Sequence, residues 1–538
     1  MLAFGANRSE THISRRPDDD SYQMAVASDR YVDHRLALSL VGTVVKYLAA
    51  APLFPVLVAL YYGESPVPFL ATSAVMVAVG LGLEQLSDET DLGHREAFLL
   101  VALSWVVVPV LGTVPYLVAG NGAVAAPVNA LFESMSGFTT TGSTVMRDIS
   151  FATHSHALLM WRQLSQWLGG MGILVLMVAI LPELSVGGAQ IINEEAPGLS
   201  IEKLTPRIQE TARALWKIYV GLTVLAALVY YGLDVVGLAT NMGVYNAVAH
   251  ALTTLPTGGF SPEGRSVEAF SPAVQWAFVP FMVVAGTNFA LFWYALDGRV
   301  STLTDNAEFR SYLGAMAVVT AALTALLFTG LGVASAAPNV GAVPGNLEHS
   351  LRQATFQVVA VVTTTGYASM DFNYWHPVAQ TVLLFAFFLG GSAGSAAGSV
   401  KIVRWVLVRK AMYRSLFTSV HPEAVRPVRI GDEAVEEETL GDVFVFIMIF
   451  ISLFVVSTVL LYVDSLFVRE MDLTGLQAMS VAIATLGNVG PGFGAVGPMD
   501  SFRLFSAPAK LYMVFLMWIG RLEILSVLVI LTPAYWRS

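Results

Sequence analysis

The chain has 538 residues, 55% hydrophobic and 13% charged, with a mean hydropathy of +0.65 and a formal charge of −10. Soluble domains carry about 25% charged residues, so this composition cannot cover a water-facing surface and argues for a polytopic membrane protein. No basic block points to a nucleic-acid partner, and the absence of cysteine excludes disulfides and thiolate sites.

In chain order, residues 1–35 form a polar leader without the apolar core of a signal peptide. A membrane span needs about 20 apolar residues. By that measure ten spans follow, at 38–61, 66–84, 96–119, 157–182, 213–236, 271–296, 311–334, 377–409 (interrupted), 442–464 and 509–532. Four apolar stretches, near 125–141, 243–258, 346–365 and 472–489, are too short to cross. Taken singly, each fits a re-entrant helix or an extracellular amphipathic helix equally well. Lys401, Arg404, Arg409, Lys410, Arg414, Arg426 and Arg429 cluster in the 399–440 connection. Lys203 and Arg207, with Arg213 at the edge, mark the 183–212 connection, and Arg299 and Arg310 mark 297–310. The positive-inside rule then places these loops and both termini in the cytoplasm.

A repeat organises these segments. Turns read Thr139–Ser143 (TTTGS), Pro256–Phe260 (PTGGF), Thr363–Tyr367 (TTTGY) and Gly487–Pro491 (GNVGP). Each follows one span plus one short apolar helix and precedes another span, so the unit is made four times. The implied boundaries are a leader at 1–35, an additional two-span hairpin at 36–94, and pore repeats at 95–185, 186–298, 299–415 and 416–538. Non-helical backbone at membrane depth is tolerated where it is buried or lines a cavity. Four converging turns would offer rings of backbone carbonyls and Thr hydroxyls, which can replace the hydration shell of a monovalent cation. The fold class expected is all-α: four span–re-entrant helix–turn–span repeats around a pore, plus two N-terminal spans.

Several stretches carry a family resemblance: SGFTTTGSTV (136–145), RQLSQWLGGMGILVL (162–176), LTTLPTGGFSP (252–262), VVTTTGYASMDF (361–372), GGSAGSAAGSVKIVRW (390–405), GNVGPGFG (487–494) and GRLEIL (520–525). With them the chain resembles the transmembrane subunits of the Trk/Ktr/HKT superfamily of potassium transporters, and most closely the TrkH branch. The resemblance implies a homodimer with one pore per subunit in a prokaryotic plasma membrane, and a cytosolic nucleotide-binding regulator of the TrkA type. It implies no cofactor and no metal other than transported potassium, with sodium and rubidium as further candidate ions.

By that resemblance the filter consists of Thr140, Thr141 and Gly142; Thr257, Gly258 and Gly259; Thr364, Thr365 and Gly366; and Asn488, Val489 and Gly490. Pro256 ahead of the second turn, and the lack of threonine in the fourth, make the rings unequal. Selectivity for potassium over sodium is therefore expected to be less strict than in a fourfold-symmetric channel. Gly390, Gly391, Ser392, Gly394 and Gly398 break the eighth span. They fit either a close-packing face or, by the resemblance, a movable gate loop at 390–399. Arg521, deep in the last span, faces either the pore beneath the filter or a structural partner; Glu523 at i+2 is poorly placed for pairing. Glu133, in the first short helix, must be hydrogen-bonded by something structural. Asp148, Glu263, Asp371 and Asp500 follow the turns and read as solvated loop charges.

The function expected is gated, channel-like potassium uptake. A symporter coupled to protons or sodium is the alternative, and an intramembrane enzyme a remote one, since no cysteine and no His-Glu-x-x-His set is present. The 183–213 and 399–440 stretches are the expected docking surfaces for the regulator.

Overall fold

The computed structural model describes residues 32–88, 93–172, 208–334, 343–431 and 433–536. Most of the leader and most of the 183–213 stretch lie outside the described residues. Apart from a two-residue antiparallel pair, Arg429–Ile430 with Glu433–Ala434, the regular structure is helical. In chain order the longer helices are α1 (His34–Leu48), α2 (Leu53–Tyr62), α3 (Val67–Glu84), α4 (His94–Leu111), α5 (Val114–Ala119), α6 (Pro127–Phe138) and α7 (His156–Gly170). There follow α8 (Ile208–Val235), α9 (Val244–Thr254), α10 (Pro272–Ala285), α11 (Phe289–Leu296), α12 (Ala307–Phe328), α13 (Leu347–Val362) and α14 (Pro377–Ala386). The last are α15 (Ile402–Val420), α16 (Glu437–Val463), α17 (Gly475–Leu486), α18 (Ala507–Arg521) and α19 (Leu525–Leu531).

Among the described residues six helices are long and apolar enough to cross a membrane, or eight if two bent pairs each count as one span. The ten expected spans include two that hold shorter helices. α7 has 15 residues before the description stops, and α14 has 10 before the chain unwinds. Spans 271–296 and 509–532, read as continuous, are broken by 95° between α10 and α11 and by 116° between α18 and α19. At the first break the Asn288 side chain caps α11 by accepting from Ala290 N. At the second, Glu523 and Ile524 have φ of 53° and 59°, a left-handed backbone that a β-branched residue rarely adopts.

The four expected short helices are α6, α9, α13 and α17, and each stops at most one residue before one of the glycine turns. The helix after each turn starts on a side-chain cap. Ser155, Ser271, His376 and Ser506 each accept from a backbone N–H in the first turn of α7, α10, α14 and α18. Such caps satisfy donors that a helix start leaves unpaired.

The N-terminal hairpin packs closely. A methyl group on Gly42 would lie 2.7 Å from the Gly80 carbonyl oxygen, the intimate approach that small residues permit between membrane helices. Its loop grips α7: the Glu64 carboxylate accepts from His156 N (2.8 Å) and Ala157 N (3.0 Å). The His156 ring is stacked between Tyr62 and Phe151, 3.8 and 4.0 Å from their centroids. This fixes the start of α7, whose next two turns carry the residues that hold the site.

Candidate functional site

The four turns share one backbone conformation. Thr140, Thr257, Thr364 and Asn488 have φ of 53°, 57°, 55° and 52°, and the glycines two residues later have φ of 79°, 73°, 73° and 108°. A left-handed conformation costs a non-glycine residue roughly 1–2 kcal/mol, so its occurrence four times at one position requires constraint from the surroundings. Part of that constraint is local. The amides of Thr141, Gly258 and Val489 each donate 2.9 Å to a carbonyl in the last turn of the preceding short helix, those of Ser136, Thr253 and Ala484.

The turns also meet one another. A methyl group on Gly142 would collide with the Gly258 carbonyl oxygen, on Gly259 with that of Thr365, and on Gly366 with that of Val489. On Gly490 it would lie 2.8 Å from the Thr141 carbonyl oxygen. First turn abuts second, second third, third fourth, and fourth first, so the chain closes a ring on itself. Two direct bonds seal the last joint: Ser143 Oγ donates to the Gly490 carbonyl (2.9 Å) and Asn488 Nδ2 to Thr141 Oγ1 (2.8 Å). Among the described residues, the backbone carbonyls of Thr140, Thr141, Thr257, Thr364, Thr365, Asn488 and Val489 accept no protein hydrogen bond. The threonine hydroxyls, by contrast, are engaged. Those of Thr139 and Thr363 donate back to Met135 and Val359 carbonyls at 2.7 Å each. Thr364 Oγ1 accepts from Gly398 N (2.7 Å), and Thr140 Oγ1 accepts from Arg521 (3.3 Å). The oxygens left for a ligand are mainly backbone carbonyls.

Buried polar side chains clamp the ring from outside. Glu133 accepts from Thr144 Oγ1 (2.8 Å), Val145 N (2.9 Å) and Arg162 Nε (2.6 Å). Arg162 Nη1 reaches the Ser261 carbonyl just past the second turn (2.9 Å), and its guanidinium lies 3.5 Å from the Phe260 ring centroid. One turn along α7, Gln166 Nε2 donates to the Gly258 carbonyl (2.6 Å) and its Oε1 accepts from Phe260 N (3.1 Å). Glu133 thus has the structural role its position demanded. Sequence reasoning missed Arg162 and Gln166, whose partners lie 99 and 92 residues away.

On the threonine side of the ring, the chain between α14 and α15 is non-helical from Phe387 to Lys401, a longer interruption than 390–399. The loop is pressed against the ring, because a methyl group on Gly398 would lie 2.5 Å from the Gly487 carbonyl oxygen. Arg521 Nη1 donates to the Ala396 carbonyl (2.7 Å), and Nη2 to those of Gly169 (2.7 Å) and Gly170 (2.9 Å). Lys401, read as a cytoplasmic loop charge, is buried, and its ammonium donates to the Ala397 carbonyl. Glu308 of α12 accepts from Ala393 N (2.7 Å). The broken α10–α11 corner receives the rest: Ser392 N donates to Gly286 O (2.9 Å), and Phe289 N to Gly394 O (3.2 Å). Glu523 pairs with Arg404 rather than Arg521. A cavity of about 40 Å³ here is lined by Gly170, Ser395, Ala396, Ser399, Lys401 and Arg521 among others.

On the glycine side, a cavity of about 50 Å³ touches Gly142, Gly259, Gly366 and Pro491 and is bordered by Glu263 and Asp500. Asp371 and Asp148 do not line it. Asp371 is half-buried, and that burial holds its carboxyl above the usual carboxylate range. Asp148 is held below that range by hydrogen bonds from Thr153 and Ser150. Two of the four acidic residues thus border this cavity.

The family model for TrkH, described as a cation transport protein, matches residues 67–538. The Trk system potassium uptake protein TrkH of Escherichia coli (strain K12) is 34% identical over 510 residues, covering 94% of this chain and 99% of the relative. The Trk system potassium uptake protein TrkI of Halomonas elongata is 35% identical over 446 residues, covering 82% of this chain and 84% of the relative. The crystal structure of the potassium transporter TrkH from Vibrio parahaemolyticus superposes with a TM-score of 0.79 at 32% identity, covering 94% of this chain and 100% of that one.

Proposed function

The chain belongs to the TrkH family of cation transport proteins, and from that premise we propose that it takes up potassium through a gated pore whose filter is the ring of four turns. The observation that carries this reading is the closed ring, which presents unbonded backbone carbonyls between two small cavities. Carbonyls so placed replace an ion's hydration shell. Membrane potential drives the ion at about 2.3 kcal/mol per charge per 100 mV, so no bound cofactor is required. Ten crossings with cytoplasmic termini, the repeat boundaries, a plasma-membrane location, a homodimer and a TrkA-type regulator docked on the 399–440 connection belong to the same proposal. Rubidium uptake into liposomes holding the purified protein tests it. Uptake should follow an inside-negative potential, and absence of uptake under any potential would reject it. A reversal potential that tracks potassium alone separates the pore from a symporter.

The loop at 387–401 is assigned as the gate and Arg521 as its latch. A hydrogen bond to a charged group contributes about 1.5–3 kcal/mol, and Arg521 donates one to the loop. Arg521→Gln should therefore raise rubidium uptake roughly tenfold with ion preference retained. Unchanged or reduced uptake would remove the latch role.

A further inference from the structure

From Phe387 to Val400 the loop carries no charged side chain, yet charges of both signs grip it, and its contacts fall into two groups. Gly398 meets the ring through Thr364, while Ala396 and Ala397 give their carbonyls to Arg521 and Lys401. Residues 392–394 are held by α10, α11 and α12 instead. Ser392 N donates to Gly286 O, Gly394 O accepts from Phe289 N, and Ala393 N donates to Glu308 (2.7 Å). Between the two groups the chain makes one tight turn, in which Ser395 N (3.2 Å) and Ser395 Oγ (2.7 Å) both donate to the Ser392 carbonyl. Glu308 binds the amide side of that turn and Arg521 its carbonyl side, so each charge meets backbone dipoles of opposite sign.

The two ends of the loop are stitched together, Gly390 N donating to Val400 O (2.8 Å) and Ile402 N to Gly391 O (3.1 Å). These bonds fix the shape of the loop but not where it sits against the ring. The half-buried Glu308 carboxylate bears on that placement, because besides Ala393 it interacts with the Val403 amide, in the first turn of α15, and with the Lys401 ammonium. It therefore ties the beginning of the loop to α12 and to the helix that follows the loop. We infer that Glu308 is a positioning residue for the gate: its carboxylate holds residues 392–394 against α12, so that 396–398 seat on the ring. The inference rests on the gate assignment above and deepens it. The loop gains a second hold, from a different helix and of opposite charge to Arg521, and without it the loop seats less often.

Single-channel recording of the purified full chain in planar bilayers, with potassium on both sides, tests this. Loss of a hydrogen bond to a charged group should let Glu308→Ala raise the open probability roughly tenfold. Glu308→Gln keeps the size and an acceptor but loses the charge, and should fall between that variant and the wild type. Unitary conductance should be the same in all three, because the ring is untouched. A folding defect would lower the number of active channels and would not raise the open probability of those that remain. Asp297→Asn, which removes a carboxylate paired with Arg299 at the exposed end of α11, should match the wild type. Wild-type open probability in Glu308→Ala, alongside a rise in Arg521→Gln, would overturn this inference and leave the gate assignment standing. Wild-type open probability in both would overturn the two together. An altered unitary conductance in Glu308→Gln would overturn the positioning role by placing the carboxylate on the ion's path. An equal rise in Asp297→Asn would overturn it by showing a general effect of surface charge.

Discussion

Arg162→Ala is expected to lower stability by about 3–5 kcal/mol, the usual result of leaving one member of a buried ion pair without its partner. Glu133 would keep Thr144 and Val145 but lose the charge that neutralises it at 0% exposure. The second turn would also lose its link through Ser261 and the cation stacked on Phe260. Thermal unfolding in detergent should show the drop. Glu133→Gln, which retains hydrogen-bonding capacity and removes the charge, should be less damaging alone and should recover part of the loss when combined with Arg162→Gln. A change below about 0.5 kcal/mol for Arg162→Ala, the range of ordinary surface substitutions, would show that the pair does not brace the ring.

Gly366→Ser should cut rubidium uptake roughly tenfold to a hundredfold, equivalent to about 1–3 kcal/mol of forced backbone strain at one site. At φ of 73° any side chain is strained, and here the new Cβ would also collide with the Val489 carbonyl oxygen and lie 3.0 Å from Pro491 Cδ. The neighbouring turn must give way, and with it the carbonyls proposed to hold the ion. Gly345→Ser separates the two effects. Gly345 has φ of 77°, but a methyl group added there would meet nothing within 4 Å. It therefore carries the strain without the collision and should leave uptake within about twofold of wild type. Equal uptake and equal ion preference for Gly366→Ser and the wild type would remove the filter assignment.

What could be read from the sequence was whatever repeats or is locally encoded. A short apolar helix ending in a glycine turn announces itself within about twenty residues, and all four such helices stop at or one residue before their turns. Arg521 stood out because few charges occur in apolar spans. The missed features depend on contacts across the fold. Lys401 looked like one more loop cation, because the sequence does not show that the helix stays unwound through it and that the loop above turns the Ala397 carbonyl toward its ammonium. The 95° and 116° breaks carry no proline at their corners. One accepts the 387–401 loop and the other follows Arg521, so both are shaped by neighbours distant in sequence. Gln166 and Glu308 read as ordinary polar residues until their backbone partners, 92 and 85 residues away, are in place.

The joint between the first and fourth turns has a bearing on biosynthesis. Its two sealing bonds connect residues 347 positions apart, while every other joint lies between turns consecutive in the chain. During translation the first three turns are made long before Asn488 and Gly490 leave the ribosome, and until then they form an open arc. If the ring is the filter proposed above, a nascent or truncated chain that stops short of the fourth turn would enclose no ion path. On the proposed pore reading, the order of synthesis itself would guard the membrane against leakage.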